Sequence, residues 1–435
     1  MPREKRRRLA LIGAGSRAEM FVDAITTAHA DVAELVALAD VNQSRMDLHN
    51  QWLKAAGSEP VPTYPAADLA AMLAREQVDE LVVTSVDDTH AGHIVTALEA
   101  GCDVITEKPM TVDAPSAQRI LDAQRRTRKN VRVAFNYRFN PVHEVVRTLL
   151  AGGEVGEIGS VHFEWLLDVR HGADYFRRWH REKEHSGGLL VHKSGHHFDL
   201  VNWWLGAAPV EAYAAGRLFF YGENGKRHGY ARDYDRVHGS AEAQGDPFAL
   251  NLASNPRMRA LYLDAEADDG YIRDRNVFAP GITIEDDLSV LVRYDSGATM
   301  TYHLTAYAPW EGYRLMVNGS KGRLELEVIE SDHVSPAAAT DVKQGGASVE
   351  AGSVTLTIRP FWAPPYAVEL QPHDRGGHGG ADRRMAAVLL GGAEDPLHRS
   401  ATARDGALAL LTGLAANRSL ETARPVRVAD LLDLT

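Results

Sequence analysis

Between Ser186 and Gly206 the chain runs SGGLLVHKSGHHFDLVNWWLG, and three histidines, a lysine and an aspartate fall within eight residues. Titratable groups seldom crowd beside an aromatic, apolar run unless they have a task, and proton transfer is the obvious one. Set on a helix, His192, His196, Asp199 and Trp203 share one face, while Lys193, His197, Leu200 and Trp204 line the neighbouring stripe. Ser194 is placed to cap that helix, which leaves His192 and Lys193 on the approach and His196 in the first turn. Histidine titrates near neutrality, so His196 is suited to take a proton from a hydroxyl. The same spacing, His192-x3-His196 with Asp199 or His378, would also suit a metal, but a lysine between the histidines would repel a cation, and no metal is expected.

A second set of candidates lies at strand ends near the N-terminus. Leu9 to Ile12 is an apolar strand running into Gly13-Ala14-Gly15-Ser16-Arg17-Ala18, and Glu19 to Ala28 follows as a helix. Gly13 permits the tight turn, Gly15 lets a pyrophosphate approach the backbone, and Ala18 allows close packing, with Ser16 and Arg17 completing the loop. The second strand, Glu34 to Ala39, ends in Asp40, where a carboxylate would bind the adenosine ribose hydroxyls. That favours NAD over NADP, since a carboxylate repels a 2′-phosphate; Arg45 nearby keeps NADP open. Strands at Glu80–Thr84, Asp103–Thr106 and Val131–Phe135 alternate with helices, which specifies a doubly wound parallel sheet. Ligands of such sheets bind beyond the carboxyl ends of the strands, which here carry Ser85, Asp87 and His90, then Glu107 and Lys108, then Asn136, Tyr137 and Arg138. Pro109 restricts Lys108 to an extended conformation, so its ammonium could orient a substrate hydroxyl.

Beyond residue 140 the pattern changes. A helix at Pro141–Ala151 and a strand at Ser160–Leu166 open a second domain, expected over 141–435, whose later strands form hairpins and imply an antiparallel sheet. Asp174 to Glu184, with Trp179 and His180, could cover a sugar ring through aromatic faces, or be a solvated charged helix. Residues 222–281 are too long for an ordinary connection and are expected to be a partly ordered insertion near the active site or at a subunit contact. Gly376 to Asp382 surrounds His378 with glycines that would let backbone approach a ligand. A helix over residues 403–420 is expected to pack back on the first domain.

Composition bounds the partners. The 435 residues carry a formal net charge of −12, with 45% hydrophobic and 24% charged residues, as in an ordinary globular enzyme. An acidic chain lacks the basic face that nucleic acid or an anionic membrane requires. The single cysteine, Cys102, excludes an internal disulfide and fits a reducing, cytoplasmic setting. MPREKRRR precedes an apolar run too short for a signal core, and no stretch approaches the roughly 20 apolar residues of a membrane span.

The residues GAGSRA, EKP, NYRF and the glycine pair followed by HxxD resemble those of the Gfo/Idh/MocA oxidoreductases over nearly the whole chain. The resemblance implies an N-terminal Rossmann domain that binds NAD(H) or NADP(H). It also implies a C-terminal α/β domain with a large, mostly antiparallel sheet that covers the nicotinamide and builds a dimer or tetramer. Lys108 would be the catalytic lysine and His196 the active-site histidine. Where the family usually has an aspartate, four residues before that histidine, this chain has His192 followed by Lys193. The expectation is an NAD-dependent oxidoreductase acting on a secondary alcohol of a sugar, glycoside or cyclitol. Lys108 would polarise the oxygen, with His192 and Lys193 acting on the proton transfer. Tyr137, Arg138, Trp179, His180, His197, Asp199 and His378 would bind the substrate. The alternatives are a redox-neutral, NAD-dependent glycoside hydrolase and a cofactor-binding sensor without turnover.

Overall fold

The structure is a computed structural model and describes residues 6–335, 350–371 and 379–432. The chain divides into two units: Met1–Asn136 with Leu252–Arg273 and Asp382–Ala407, and Tyr137–Asn251 with Asp274–Ala381 and Leu408–Thr435.

The first unit is built on β1 (Arg7–Ile12), β2 (Ala33–Asp40), β3 (Thr63–Pro65), β4 (Glu80–Val83), β5 (Asp103–Thr106) and β6 (Val131–Val133). These strands are parallel in the order β6-β5-β4-β1-β2-β3, with the two-residue strand Ala401–Thr402 antiparallel beside β6. Leu9, Leu11, Leu38, Val82 and Val104 are fully buried, as expected of strands covered on both faces. The order reverses between β1 and β4, and the turns that leave these two strands therefore flank the crevice where such sheets bind ligands. The helix predicted over Glu19–Ala28 runs as an α-helix from Ala18 to Asp23 and continues as a π-turn from Ala24 to Ala28.

The second unit holds β7 (Ile158–Asp168), β8 (Pro209–Arg217), β9 (Asp287–Tyr294), β10 (Thr299–Ala308), β11 (Glu311–Gly319), β12 (Gly322–Ser331) and β13 (Ser353–Pro360). Their order is β13-β12-β11-β7-β10-β9-β8, with two-residue strands Tyr366–Ala367 and Val426–Arg427 completing the edges. Only β7 and β10 pair in parallel. Burial alternates strictly along β9, so one face of this sheet carries the core. Phe163 and Trp165 of β7, Tyr302 of β10 and Tyr313 of β11 point to that face. There Trp165 and Tyr302 meet His197 of the helix Ser194–Leu205. The expected class, a Rossmann sheet plus an α/β domain with a mostly antiparallel sheet, is the architecture found.

Three boundaries differ from the sequence reading. The division falls between Asn136 and Tyr137, and the long helix Ala403–Thr422 does not pack back on the first unit as a whole. Gly406 lies against Val133 and Met110, but Gly413 lies against the Leu190 carbonyl, too close for a Cβ. Further along, Asn417 Nδ2 donates to Gly187 O (2.7 Å), and Ser419 Oγ accepts from Ala214 N (2.9 Å). Residues 222–281 form short helical turns bound by Arg232–Asp246 and Arg236–Asp274 ion pairs, and Leu252–Arg273 belongs to the first unit. Their polar sequence hides this because each turn is too short to show a period.

Candidate active site

In the first unit the glycine turn is fixed by sterics and by one carboxylate. Gly13 has φ +98°, and a Cβ there would stand 2.4 Å from Ser85 N, so no other residue fits. Among the described residues the space over Gly15 is open, since a Cβ would meet only the Tyr262 hydroxyl at 3.9 Å. Asp40 accepts from the amides of Ala14 and Asn42, which ties the end of β2 to the turn. Burial pushes the Asp40 carboxyl up from its ordinary range despite these amides. Arg45, weighed as a 2′-phosphate ligand, is buried and already engaged. Its NH1 lies 2.7 Å from Asp269, its Nε donates to Leu261 O (3.0 Å), and its guanidinium stacks over Tyr262 and Tyr271.

The remaining strand-end residues gather at two centres. Glu107 takes Arg17 Nε on one oxygen (2.5 Å) and the amide of Lys108 on the other (3.1 Å). The other face of Arg17 donates to Asp382 at 3.2 and 3.0 Å, and Asn136 Nδ2 donates to Asp382 Oδ1 (2.8 Å). Asp382 thus links two predicted cofactor residues. The sequence reading passed over it for His378, which lies outside the described residues. His90, expected to touch cofactor, is fully buried instead. Its Nδ1 faces Pro109 O (2.9 Å) and its Nε2 faces Ser85 O (3.1 Å), so it braces the turns bearing Ser85 and Lys108. Burial lowers its pKa. Ser85 Oγ pairs with Thr89 Oγ1 (2.7 Å), Asp87 is buried at the start of the same turn, and Lys108 is half-buried.

A nicotinamide dinucleotide fits this unit on two observations. The room above Gly15 is what a phosphate needs, and the buried Asn136 Oδ1 has no hydrogen-bond partner among the described residues.

The second unit holds the histidines, in an arrangement the helical wheel did not give. The chain forms a turn at Leu189–His192 and starts a new helix at Ser194, with Lys193 at the break. Ser194 does not cap; its hydroxyl bonds to Tyr302 Oη (2.9 Å). His192 ends the turn before that helix and pairs through Nε2 with Nε2 of His180 (3.0 Å), so one ring donates and the other accepts. His180 stacks on half-buried Trp179, with ring centroids 3.5 Å apart. Lys193 is buried, donates from Nζ to Tyr137 Oη (3.1 Å), and sits over the Trp165 ring. His196 stacks on the same Tyr137 ring, at 4.3 Å and 14°. Burial holds the Tyr137 phenol well above its ordinary pKa, so it stays protonated.

Three predicted substrate ligands have other work. His197 is fully buried, stacked on Trp165 and bonded through Nδ1 to Tyr302 Oη (2.7 Å). Arg138 and Asp199 bind each other at 2.8 and 2.6 Å, with side chains 3% and 1% exposed. This pair also removes Asp199 from any metal set with His192 and His196. In the Asp174–Glu184 stretch the arginines hold the protein together. Arg177 donates to Phe248 O, Arg178 pairs with Asp174, and Arg181 donates to Pro280 O.

The Rossmann unit and its partner sheet define a class of dinucleotide-dependent oxidoreductase. Residues 7–135 match the oxidoreductase family's NAD-binding Rossmann fold, and residues 147–428 match its C-terminal alpha/beta domain. The chain belongs to the Gfo/Idh/MocA oxidoreductase family. It is 32% identical over 434 residues to YteT of Bacillus subtilis (strain 168), an oxidoreductase by name, covering 97% of this chain and 98% of YteT. It is 30% identical over 230 residues to an inositol 2-dehydrogenase of Rhizobium meliloti (strain 1021), covering 53% of this chain and 63% of the relative. The WlbA dehydrogenase of Bordetella pertussis, solved with NADH and UDP-GlcNAcA, has the same fold, with a TM-score of 0.64, 19% identity, and coverage of 99% and 100%. No helix among the described residues is long and apolar enough to cross a membrane.

Proposed function

We propose that the protein is an NAD-dependent dehydrogenase of a secondary alcohol on a sugar, glycoside or cyclitol. When bound, the cofactor supplies a hydride acceptor or donor at nicotinamide. Gly13, Gly15, Ser16, Arg17, Ala18, Asp40, Ser85, Asp87, Glu107 and Asn136 are the residues assigned to hold it. NAD is preferred to NADP because Asp40 would repel a 2′-phosphate and because Arg45, its natural counter-ion, is paired with Asp269.

The reading rests on one arrangement: His196 stacked on Tyr137, with the Lys193 ammonium on the hydroxyl of that ring. Stacking fixes the imidazole plane, and a cation on the hydroxyl of the same ring keeps the site electropositive towards an alkoxide. His196 is assigned the proton of the substrate hydroxyl as the C–H bond breaks, and Lys108 keeps the catalytic role that the family resemblance implies for it. His192 stands where the family usually has an aspartate, and it shares one hydrogen bond with His180, so that the two imidazoles can exchange donor and acceptor roles. Trp179 offers an aromatic face to a sugar ring. The inositol 2-dehydrogenase relative supports the substrate class. No observation favours the redox-neutral glycosidase.

Incubation with NAD and a panel of sugars, cyclitols and glycosides tests the reading, with NADH followed by absorbance and products by mass. NADH accumulating with a keto product is expected. Aglycone release without net NADH, or tight NAD binding with no turnover on any of the panel, would overturn it. Sedimentation of the same sample checks the homo-oligomer that the family resemblance implies, and cell fractionation checks the cytoplasmic location.

A further inference from the structure

The segment Leu252–Arg273 lies inside a stretch that the sequence presents as an insertion, yet it is built into the Rossmann unit. Four bonds hold it to the residues just after β2. Asn42 Nδ2 donates to Ala265 O (2.8 Å), and Ser44 N donates to Asp268 (2.8 Å). Arg45 reaches both Leu261 O (3.0 Å) and Asp269 (2.7 Å). Arg257 adds a stack on Trp52 (5.2 Å), and Leu261 and Ala265 of the segment are fully buried. At its centre Tyr262 sits with its ring under the Arg45 and Arg273 guanidinium groups. Its hydroxyl accepts from the amide of Ser16 at 3.1 Å.

That amide belongs to the glycine turn, and its N–H is of the kind that meets the pyrophosphate in a Rossmann domain. Among the described residues the Tyr262 hydroxyl is also the atom nearest a Cβ built on Gly15. It accepts one hydrogen bond there and donates none to any described residue, so its proton is available at the point where phosphate oxygens would stand. The anchors on residues 42–45 lie beside Asp40, at the ribose end of the same site.

We propose that Leu252–Arg273 is a cover over the adenosine–pyrophosphate half of the cofactor site, and that Tyr262 is a cofactor-binding residue that donates its hydroxyl proton to the pyrophosphate. The inference rests on the cofactor reading above and deepens it. It makes two predictions distinct from turnover: the tyrosine hydroxyl contributes to binding of any ligand carrying the ADP pyrophosphate, and such ligands shield the cover.

The test is calorimetric titration of NADH and of ADP-ribose into the wild type and Tyr262→Phe, which keeps the ring beneath both arginines. Loss of a hydrogen bond to a charged group predicts about tenfold weaker binding of both ligands. Limited trypsin digestion at Arg257 and Arg259, with and without ADP-ribose, gives a second readout, and slower cleavage with ligand is expected. Equal affinities within about twofold, or cleavage unaffected by ADP-ribose, would overturn the cover while leaving the cofactor reading standing. Failure of the wild type to bind either ligand would overturn both.

Discussion

Whether Asp199 serves the substrate or the fold is decided by a single substitution. Its carboxylate receives Arg138 Nε at 2.8 Å and NH2 at 2.6 Å, with both side chains almost fully buried and the guanidinium 5.9 Å from the Trp203 ring. Asp199→Asn keeps the shape but removes the charge, and it turns one acceptor oxygen into a donor that faces the guanidinium. Breaking a buried pair from one side costs about 3–5 kcal/mol, because the remaining charge is left without compensation. For a domain of 150–250 residues, about 2–4 °C of melting temperature follows each kcal/mol, so the loss should be about 6–20 °C. Differential scanning calorimetry of wild type, Asp199→Asn and the double replacement Arg138→Leu/Asp199→Leu measures it. The apolar pair should recover most of the loss, since an isosteric apolar pair is often neutral or better than a buried ion pair. A drop below about 1 kcal/mol in Asp199→Asn, together with weaker substrate binding, would refute the structural assignment and restore Asp199 as a substrate ligand.

Other outcomes follow from the same geometry. Gly13→Ala forces a side chain onto Ser85 N at a left-handed φ, and should abolish NADH binding in a fluorescence titration. Asp269→Ala frees the Arg45 guanidinium, and should tighten NADPH binding by about 10-fold or more relative to NADH, the scale of one charge-assisted hydrogen bond. His196→Asn should lower kcat by about 10²–10⁴ with little change in NADH affinity, as expected for loss of a general base. Burial lowers the pKa of His49, His90 and His93, the last to about 4. All three are neutral in either state above their ordinary value of 6.5. Below it the unfolded chain takes up protons that the folded chain refuses, so stability is lost as pH falls from about 6.5 towards 4. Melting temperatures between pH 7 and 5 should fall less steeply in His93→Gln than in the wild type.

The glycine turn, the alternation of strand and helix and the end of β2 at Asp40 were legible because each rests on short-range physics. A tight turn demands glycine, and a parallel strand buried on both faces demands a continuous apolar run. The candidate site was only half legible. His196 and Lys193 stand out by their density, but the helical wheel treats His192 and His196 as one continuous helix, whereas the chain turns at Leu189–His192, after Gly187 and Gly188 with positive φ, and starts a new helix at Ser194. His192 then finds His180, twelve residues earlier.

By itself, then, the sequence determined the Rossmann unit, its glycine turn and the residue types of the second unit's cluster. Tertiary structure decided which of those residues are spent on each other. Arg17 meets Asp382 across 365 residues of chain, Arg45 meets Asp269, and Arg138 meets Asp199. Backbone preference is set by neighbours in sequence and can be read along the chain. The partner of a buried charge is set by whichever segment the fold brings to it, because an unpaired charge in the interior is too costly to leave.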